Sequence, residues 1–343
     1  MSRRQVAQVP GVAVVGLGGT IAMAQAGNGG VIPSLSAEDL VAAVPGLAGL
    51  GVDLAVSSFR SQPGTSLTVE DIIELADVLH QQFTDGAVGA VITQGTDTIE
   101  ETAYLLDLLN ATEAPIVVTG AMRNPTLAGA DGPANLLAAV TVAASPHARG
   151  LGCLVVLADE IHAAARVRKS HTMSPSTFIS PNGGPLGYVV EGYVRLVNRP
   201  AHRYRPPAPN RDQPVPRVGL YTATLGDDGG LLPALASHLD GLVIAAFGAG
   251  HVPQQWVANI EEIAGRIPVV FASRTGSGFT ATDTYGFPGS ESDLIARGLI
   301  PAGILDPYKA RLLLQILLTT TDSRESLRTA LAAATDDLGT KTR

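Results

Sequence analysis

The sequence contains a single cysteine among its 343 residues, Cys153, which lies in an apolar run typical of a strand. No disulfide can therefore form within the chain. The sequence also lacks an apolar run long enough to cross a membrane as a helix. The segment Met1–Pro10 has no apolar core of the kind found in secretory signal peptides, so we expect a cytoplasmic location.

The chain has no excess of positive charge. It carries 23 basic and 31 acidic residues, a formal net charge of −8, and a small basic stretch lies at Arg166–Lys169. This balance argues against nucleic acid as a partner. Seven histidines are scattered without a metal-binding spacing such as H-E-x-x-H. We therefore expect no nucleic-acid partner, no membrane partner, no metal and no cofactor.

Lysine is rare as well, since the 23 basic residues include only Lys169, Lys309 and Lys341. Lys169 follows Arg166 and Arg168 in the segment Arg166–Thr172. Lysine can lose its proton in a suitable environment and act as a base, whereas arginine cannot. Like-charge repulsion from neighbouring arginines would favour that loss if the side chains point the same way. Lys169 is thus a candidate base, with an ordinary surface lysine as the alternative.

Apolar segments typical of strands alternate with helical segments along the chain. The first strand candidates lie near Val12, Val52, Val88, Ile116 and Leu154, and a second alternating set begins at Val218. This alternation predicts an α/β fold whose larger N-terminal domain has a mostly parallel, doubly wound sheet, followed by a smaller C-terminal α/β domain. A proline-rich stretch at residues 198–216 is the predicted linker between domains at 1–197 and 217–343.

The segment Val91–Thr102 reads as a buried strand, a polar turn and the start of a helix. Thr98 and Glu101 have the spacing of a capping box, which predicts that Thr98 caps this helix. The turn would present Thr96 and Asp97 at the carboxyl end of the strand, where open α/β sheets bind their ligands. A hydroxyl beside a carboxylate can position a water or relay a proton, although both residues could also serve only as helix caps.

A second segment, Val12–Ala22, is an apolar strand that ends in glycines followed by Thr20. Gly16 and Gly18 fit a dinucleotide fingerprint, but Ile21 stands where its third glycine should be. Glycines allow a tight turn and a close approach to a ligand. The segment therefore predicts a hydroxyl held at the end of a strand.

These motifs resemble the signature segments of the bacterial-type L-asparaginase family. The resemblance rests on Gly18–Ala22, Thr93–Ala103, Val118–Arg123, Ala130–Leu136, the flanks of Lys169, and Gly303–Arg311. It extends from about Val12 to Leu318, and the first two motifs together are highly specific for the family.

The resemblance implies hydrolysis of the side-chain amide of L-asparagine in two steps. It assigns Thr20 as the nucleophile that forms an acyl-enzyme, and it places Thr96 with Asp97 and Lys169 as the group that activates a nucleophile. These are the four predicted catalytic residues. A threonine hydroxyl is a poor nucleophile without a base within hydrogen-bond reach, and a neutral lysine can be that base.

The predicted substrate-binding residues are Gly64, Thr65 and Ser66, together with Thr96 and Asp97. The family resemblance places the substrate-carboxylate segment within Ser61–Ser66, where Ser61, Gln62, Thr65 and Ser66 are alternative ligands and Gly64 replaces the usual serine. Many members also have a tyrosine in the lid after the first threonine, but this chain has none between Thr20 and Tyr104.

The resemblance further implies a homodimer or homotetramer in which a neighbouring subunit closes each site. His251 lies where some members have an asparagine that reaches the neighbour's site. The predicted function is an L-asparaginase with a small-molecule substrate. The alternatives are a glutaminase-asparaginase of mixed specificity, an amidotransferase subunit that supplies ammonia, and a non-catalytic protein, which should have lost one of the four catalytic residues.

Overall fold

The structure of the chain is a computed structural model, and it describes residues 11–19, 21, 23–25, 31–33 and 36–335. The chain divides into two compact units, Met1–Pro200 and Ala201–Arg343. This division falls inside the proline-rich segment 198–216, and the domain bounds given above remain a prediction.

In the described part of the first unit, strands and helices alternate for most of its length. The strands are β1 (Gly11–Gly16), β2 (Met23–Gln25), β3 (Val31–Pro33), β4 (Asp53–Ser58), β5 (Ala87–Thr93), β6 (Ile116–Thr119), β7 (Cys153–Leu157), β8 (Glu160–Ala163), β9 (Arg168–Lys169), β10 (Phe178–Ile179), β11 (Gly187–Val190) and β12 (Tyr193–Leu196). The helices are α1 (Ala37–Ala42), α2 (Val69–Thr84), α3 (Ile99–Leu109) and α4 (Gly132–Ala144).

Among the described residues, eight of these strands form one sheet in the order β12-β11-β8-β7-β6-β5-β1-β4. The five strands from β7 to β4 in that order are parallel, and β8, β11 and β12 extend the sheet with antiparallel pairs. Strands β5, β6 and β7 are almost entirely buried, as expected for parallel strands covered on both faces. The carboxyl ends of the parallel strands therefore meet at one edge of the sheet.

The helices form where the sequence provides both an apolar face and a start signal. Helix α2 begins after Thr68, whose side chain accepts a hydrogen bond from the backbone N–H of Asp71 in a capping box. Its buried residues are Ile72, Leu75 and Leu79, which recur at helical spacing and face the sheet. The start of α2 and its apolar face are therefore set by residues within the helix and directly before it.

The second unit contains a smaller parallel sheet. Its described elements are β13 (Val218–Thr222), α5 (Leu232–Ala236), β14 (Gly241–Ala246), α6 (Val257–Arg266), β15 (Val269–Ser273), α7 (Glu291–Ala296), β16 (Ile300–Pro301), α8 (Pro307–Leu317) and α9 (Arg324–Thr335). The strands are parallel and follow one another in chain order, β13-β14-β15-β16. Its core includes the fully buried Trp256 and Phe271.

The predicted fold class, a larger mostly parallel sheet domain and a smaller α/β domain, is confirmed. The capping-box prediction for α3 is wrong. Thr98 precedes the helix, but its side chain makes no capping hydrogen bond. Its hydroxyl instead donates to the carbonyl of Gly64 at 3.1 Å. The Thr98 hydroxyl thus forms a tertiary hydrogen bond with Gly64 and not the helix-capping bond that the sequence predicted.

Candidate active site

The loops that follow β1, β5 and β6 are tied together at the carboxyl edge of the large sheet. The backbone N–H of Leu17, after β1, donates to the carbonyl of Thr93 at 2.8 Å. The N–H of Gln94, after β5, donates to the carbonyl of Thr119 at 3.1 Å. These bonds continue the sheet ladder past the last strand residues, so the turn that follows Gln94 starts from a fixed position.

Glycines allow the first two loops to touch. A Cβ atom added to Gly19 would lie 2.0 Å from the backbone nitrogen of Gly95, and Gly19 has a φ of +88°. Any side chain at position 19 would therefore separate the two loops, besides being strained by the left-handed backbone. Thr20, the predicted nucleophile, follows Gly19 directly in the chain but lies outside the described residues.

Three of the predicted catalytic residues lie together. The turn Thr96–Thr98 follows β5, and the Nζ atom of Lys169 is 3.0 Å from Thr96 Oγ1 and 2.7 Å from Asp97 Oδ1. Thr96 is 7% exposed, the Lys169 side chain 15% and the Asp97 side chain 64%. A buried hydroxyl thus contacts an amine that is paired with an accessible carboxylate. This arrangement can transfer a proton to or from a threonine hydroxyl.

Lys169 is presented by a short hairpin and not by the large sheet. It belongs to β9, in which Lys169 pairs with Phe178 of β10 and Arg168 pairs with Ile179. The N–H of Ser170 donates to the carbonyl of Thr177 at 2.8 Å and extends this pairing. Phe178 is buried, and it anchors the hairpin to the rest of the unit.

The predicted substrate-binding segment lies against the same turn. Residues Gly64–Ser66 form one turn of 3-10 helix, in which Gly64 is buried and Thr65 and Ser66 are exposed. A Cβ atom on Gly64 would lie 3.0 Å from the carbonyl oxygen of Gly95, so a glycine fits this contact best. The side chain of Gln62 donates to the carbonyl of Ser66 at 3.3 Å, so it helps to hold this turn.

His251 lies in the second unit, where its surroundings are well defined. Its Nε2 is 3.1 Å from Oε2 of Glu291, a carboxylate with a fully buried side chain. Burial raises the pKa of Glu291, but hydrogen bonds from the backbone N–H groups of Tyr285 and Thr284, and the one with His251, outweigh it, so the pKa lies below its usual value. The ring of His251 also contacts the edge of Tyr285, with centroids 4.8 Å apart.

Within the described ranges of the chain, no cluster of three or more histidine, cysteine, aspartate or glutamate side chains could hold a metal ion. The helices that the structure describes are all too short or too polar to span a bilayer.

The sequence of the chain matches two known domain families over most of its length. Residues 11–202 match the family "Asparaginase, N-terminal", and residues 217–331 match "Glutaminase/Asparaginase C-terminal domain". The chain belongs to the asparaginase family. The match covers the β1 and β5 loops and the hairpin with Lys169, so the cluster described above lies inside the family's own domain.

Relatives in this family are similar in sequence to this chain along nearly its whole length. A probable L-asparaginase of Deinococcus radiodurans is 36% identical, over 94% of this chain and 97% of the relative. A probable periplasmic L-asparaginase of Haemophilus influenzae is 33% identical, over 92% and 90%. A crystal structure of a probable cytoplasmic L-asparaginase of Campylobacter jejuni superposes with a TM-score of 0.84 at 33% identity, over 94% of this chain and 99% of the other.

The structure also shows positioning groups that the motifs did not reveal. The Gly19–Gly95 contact joins two loops that are distant in sequence, and the Thr98–Gly64 hydrogen bond joins a third loop to them. In the sequence, the Gly19–Gly95 contact was indicated only by a glycine directly before each of the candidate threonines Thr20 and Thr96. No sequence signal indicated the second, because a threonine before a helix normally caps it.

Proposed function

We propose that this chain is an L-asparaginase, an amidohydrolase that converts L-asparagine to L-aspartate and ammonia through a threonine acyl-enzyme. The observation that carries the proposal is the position of Lys169 Nζ, 3.0 Å from Thr96 Oγ1 and 2.7 Å from Asp97 Oδ1. A lysine and a carboxylate beside a buried threonine hydroxyl form a proton relay. Membership of the asparaginase family and the activity named for its relatives support the same reaction.

In the first half of the proposed reaction, the hydroxyl of Thr20 attacks the carbon of the side-chain amide. Its proton passes through the relay of Thr96 and Lys169 to the leaving nitrogen. The carbon–nitrogen bond breaks, ammonia departs, and an ester joins the substrate to Thr20. The contact between Gly19 and Gly95 supports this pairing, because the loop that leads to Thr20 touches the loop that leads to Thr96.

In the second half, a water molecule attacks the ester carbon while the relay accepts a proton from it. The bond to Thr20 breaks, aspartate leaves, and the hydroxyl of Thr20 regains a proton. Lys169 must accept and return one proton in each half, and Asp97 stabilises the charged amine when it holds that proton. Backbone N–H groups of the glycine-containing turns are suited to stabilise the negative oxygen that develops on the substrate.

Substrate binding is assigned to the turn Gly64–Ser66 together with Thr96 and Asp97. The turn is packed against Gly95 and exposes Thr65 and Ser66 beside the relay. Hydroxyls and backbone N–H groups of such a turn can bind the α-carboxylate of an amino acid. The exposed carboxylate of Asp97 carries the charge that would bind its α-amino group.

Ammonia release from L-asparagine and L-glutamine, measured side by side with purified protein, tests the proposal. We expect release from asparagine to be faster, and a Thr96→Val variant to be inactive with both substrates. Comparable rates would favour a glutaminase-asparaginase of mixed specificity. The absence of release from both by the folded wild-type protein would contradict the proposal.

We also propose a cytoplasmic homodimer or homotetramer. The cytoplasmic assignment is supported by the description of the Campylobacter jejuni neighbour. A fractionation of the cells that produce the protein tests it. An activity found mainly in the periplasm would contradict the assignment.

A further inference from the structure

The histidine of strand β8, His162, lies outside the relay and has no role in the reaction described above. Its side chain is fully buried, and its Nδ1 is 2.9 Å from the hydroxyl oxygen of Ser180. Its Nε2 lies 3.2 Å from Oε2 of Glu160 on the same strand, but the two groups are not aligned for a hydrogen bond. A histidine on this sheet therefore makes a direct link to a residue that follows β10.

Ser180 comes directly after the last residue of β10. Two positions earlier, Phe178 pairs with Lys169 across the hairpin. Ser180 is buried, and its carbonyl accepts the N–H of Gly184 at 3.0 Å, so its backbone is fixed on both sides. A shift of Ser180 along β10 would move the register of the hairpin and carry Lys169 with it.

The hairpin needs such a fixed point because it is short. Strands β9 and β10 contribute two residues each, and they form their own two-stranded sheet, separate from the large one. On the β9 side the backbone N–H of Val167 donates to the carbonyl of Ala163 at 3.0 Å. On the β10 side the buried Phe178 holds the hairpin to the unit by apolar contact, which is not directional. A hydrogen bond is directional, so it can fix the position along the strand that apolar packing leaves adjustable.

The ring of His162 is well suited to this role. Burial lowers its pKa to about 4, so the ring is neutral near pH 7. A neutral imidazole keeps one donor and one acceptor nitrogen, and either can pair with a hydroxyl. The link to Ser180 thus does not depend on a charged ring near pH 7.

We propose that His162 is a positioning residue for the amide hydrolysis, which sets the place of Lys169 beside Thr96 through Ser180 and β10. This inference rests on the proposed function, but its structural part can be tested without activity. A displacement of a catalytic group by about 1 Å can lower a rate by about 100-fold. Loss of the link should therefore reduce kcat without removing a group that binds the substrate.

The kinetic test uses His162→Phe, Ser180→Ala and the double variant. We expect each single variant to lower kcat by about 10- to 100-fold while KM changes by less than about threefold. The double variant should be no slower than the worse single variant, since both changes remove the same link. His162→Asn, whose amide can occupy the position of Nδ1, should restore kcat to within about threefold of the wild type.

A matched control is Tyr221→Phe, which removes the 2.7 Å hydrogen bond between Tyr221 and Asp227 in the second unit. It loses one hydrogen bond, as Ser180→Ala does, and should leave kcat unchanged. An equal loss of kcat in this control would show that general destabilisation is the cause, and would overturn the proposal. Wild-type kcat in folded Ser180→Ala would overturn it as well, even if His162→Phe does not fold.

The low lysine content provides a readout that does not depend on activity. Lysine labelled with ¹³C at Cε gives signals from only three residues, and the Lys169→Met variant assigns one of them. We expect Ser180→Ala to shift the Lys169 signal and His162→Asn to leave it nearly in place. An unmoved Lys169 signal in Ser180→Ala would refute the positioning role. A shifted signal in a protein whose wild type hydrolyses neither amide would refute the proposed function alone.

Discussion

Two residues 73 positions apart in the chain, Thr96 and Lys169, have side-chain atoms 3.0 Å apart. At the residue scale this contact is the centre of the proposed active site. Asp97 adds a carboxylate 2.7 Å from the same amine, and most of its side chain is exposed. The amine is thus held in place from the protein side and remains reachable from the side where a substrate amino group would bind.

The two threonines should be equally indispensable. We expect Thr20→Ala and Thr96→Val each to abolish amide hydrolysis, because both hydroxyls serve one acyl-transfer cycle. The double variant should be no worse than either single variant, as found for groups that act as a unit. Steady-state ammonia release checks the rates, and a cooperative thermal transition checks folding. Retention of most of the activity in either variant would contradict the assignment.

Two substitutions of Lys169 can separate the role of its positive charge from its role as a base. If it acts as a base, Lys169→Arg should be nearly as inactive as Lys169→Met, because arginine keeps the charge but cannot accept a proton. Steady-state ammonia release compares both variants with the wild type. Substantial activity in Lys169→Arg would instead mean that Lys169 supplies only positive charge.

At the scale of elements, the site depends on loops that approach one another at glycines. Gly19→Ala would place a Cβ atom 2.0 Å from the backbone of Gly95, at a φ of +88°. We expect a loss of activity of at least about 100-fold, since the β1 and β5 loops must separate. Stability should fall by about 1–3 kcal/mol, the usual cost of overpacking. Ammonia release and urea denaturation measure the two effects.

Gly49 provides the control for this prediction. It lies in the same unit, and a Cβ atom added to it would have no heavy atom within 4 Å. Gly49→Ala should therefore leave the rate of ammonia release unchanged. Its free energy of unfolding should stay within about 0.5 kcal/mol of the wild type. If Gly19→Ala behaved like Gly49→Ala, the close contact between the β1 and β5 loops would not be needed for the reaction.

At the scale of the whole molecule, the buried His162 should make the fold sensitive to acid. Its pKa is lowered by burial from 6.5 to about 4, so in this interval the unfolded chain binds a proton that the folded chain does not. Stability should therefore be unaffected by this residue above about pH 6.5 and should decrease as the pH falls towards 4, by up to about 3 kcal/mol.

Urea denaturation at several pH values between 7.5 and 4.5 measures this decrease, and His162→Asn should lack it. Burial raises the pKa of the neighbouring Glu160, which acts in the opposite direction at the acidic end of the range. The difference between wild type and variant is therefore most informative between about pH 6.5 and 5. An identical pH dependence in both proteins would contradict the assignment of the acid sensitivity to His162.

The assembly of the chain is the other prediction at this scale. Light scattering should show a homodimer or homotetramer, as the family resemblance implies. If a neighbouring subunit completes each site, mixing inactive Thr20→Ala subunits with inactive His251→Ala subunits should restore some activity, because some sites would combine two intact halves. A fully active monomer on sizing would rule out a shared site.

The parallel strands of the first unit and the helices between them followed from the sequence alone. Strand β13 begins at Val218, where the second alternating set was expected to start, and α2 begins after a threonine that caps it. Patterns of this kind depend on neighbours within a few residues, so they can be read locally. The sequence also placed Thr96 at the end of a parallel strand, and strand ends of a parallel sheet share one edge.

Only the tertiary structure decided the pairings between distant segments. Thr98 bonds to Gly64 instead of capping α3, β11 pairs antiparallel with β8, and His162 pairs with Ser180. Each of these depends on a partner that lies 18 or more positions away in the chain. Local periodicity describes which face of an element is buried, but it carries no information about which distant residue will meet it there.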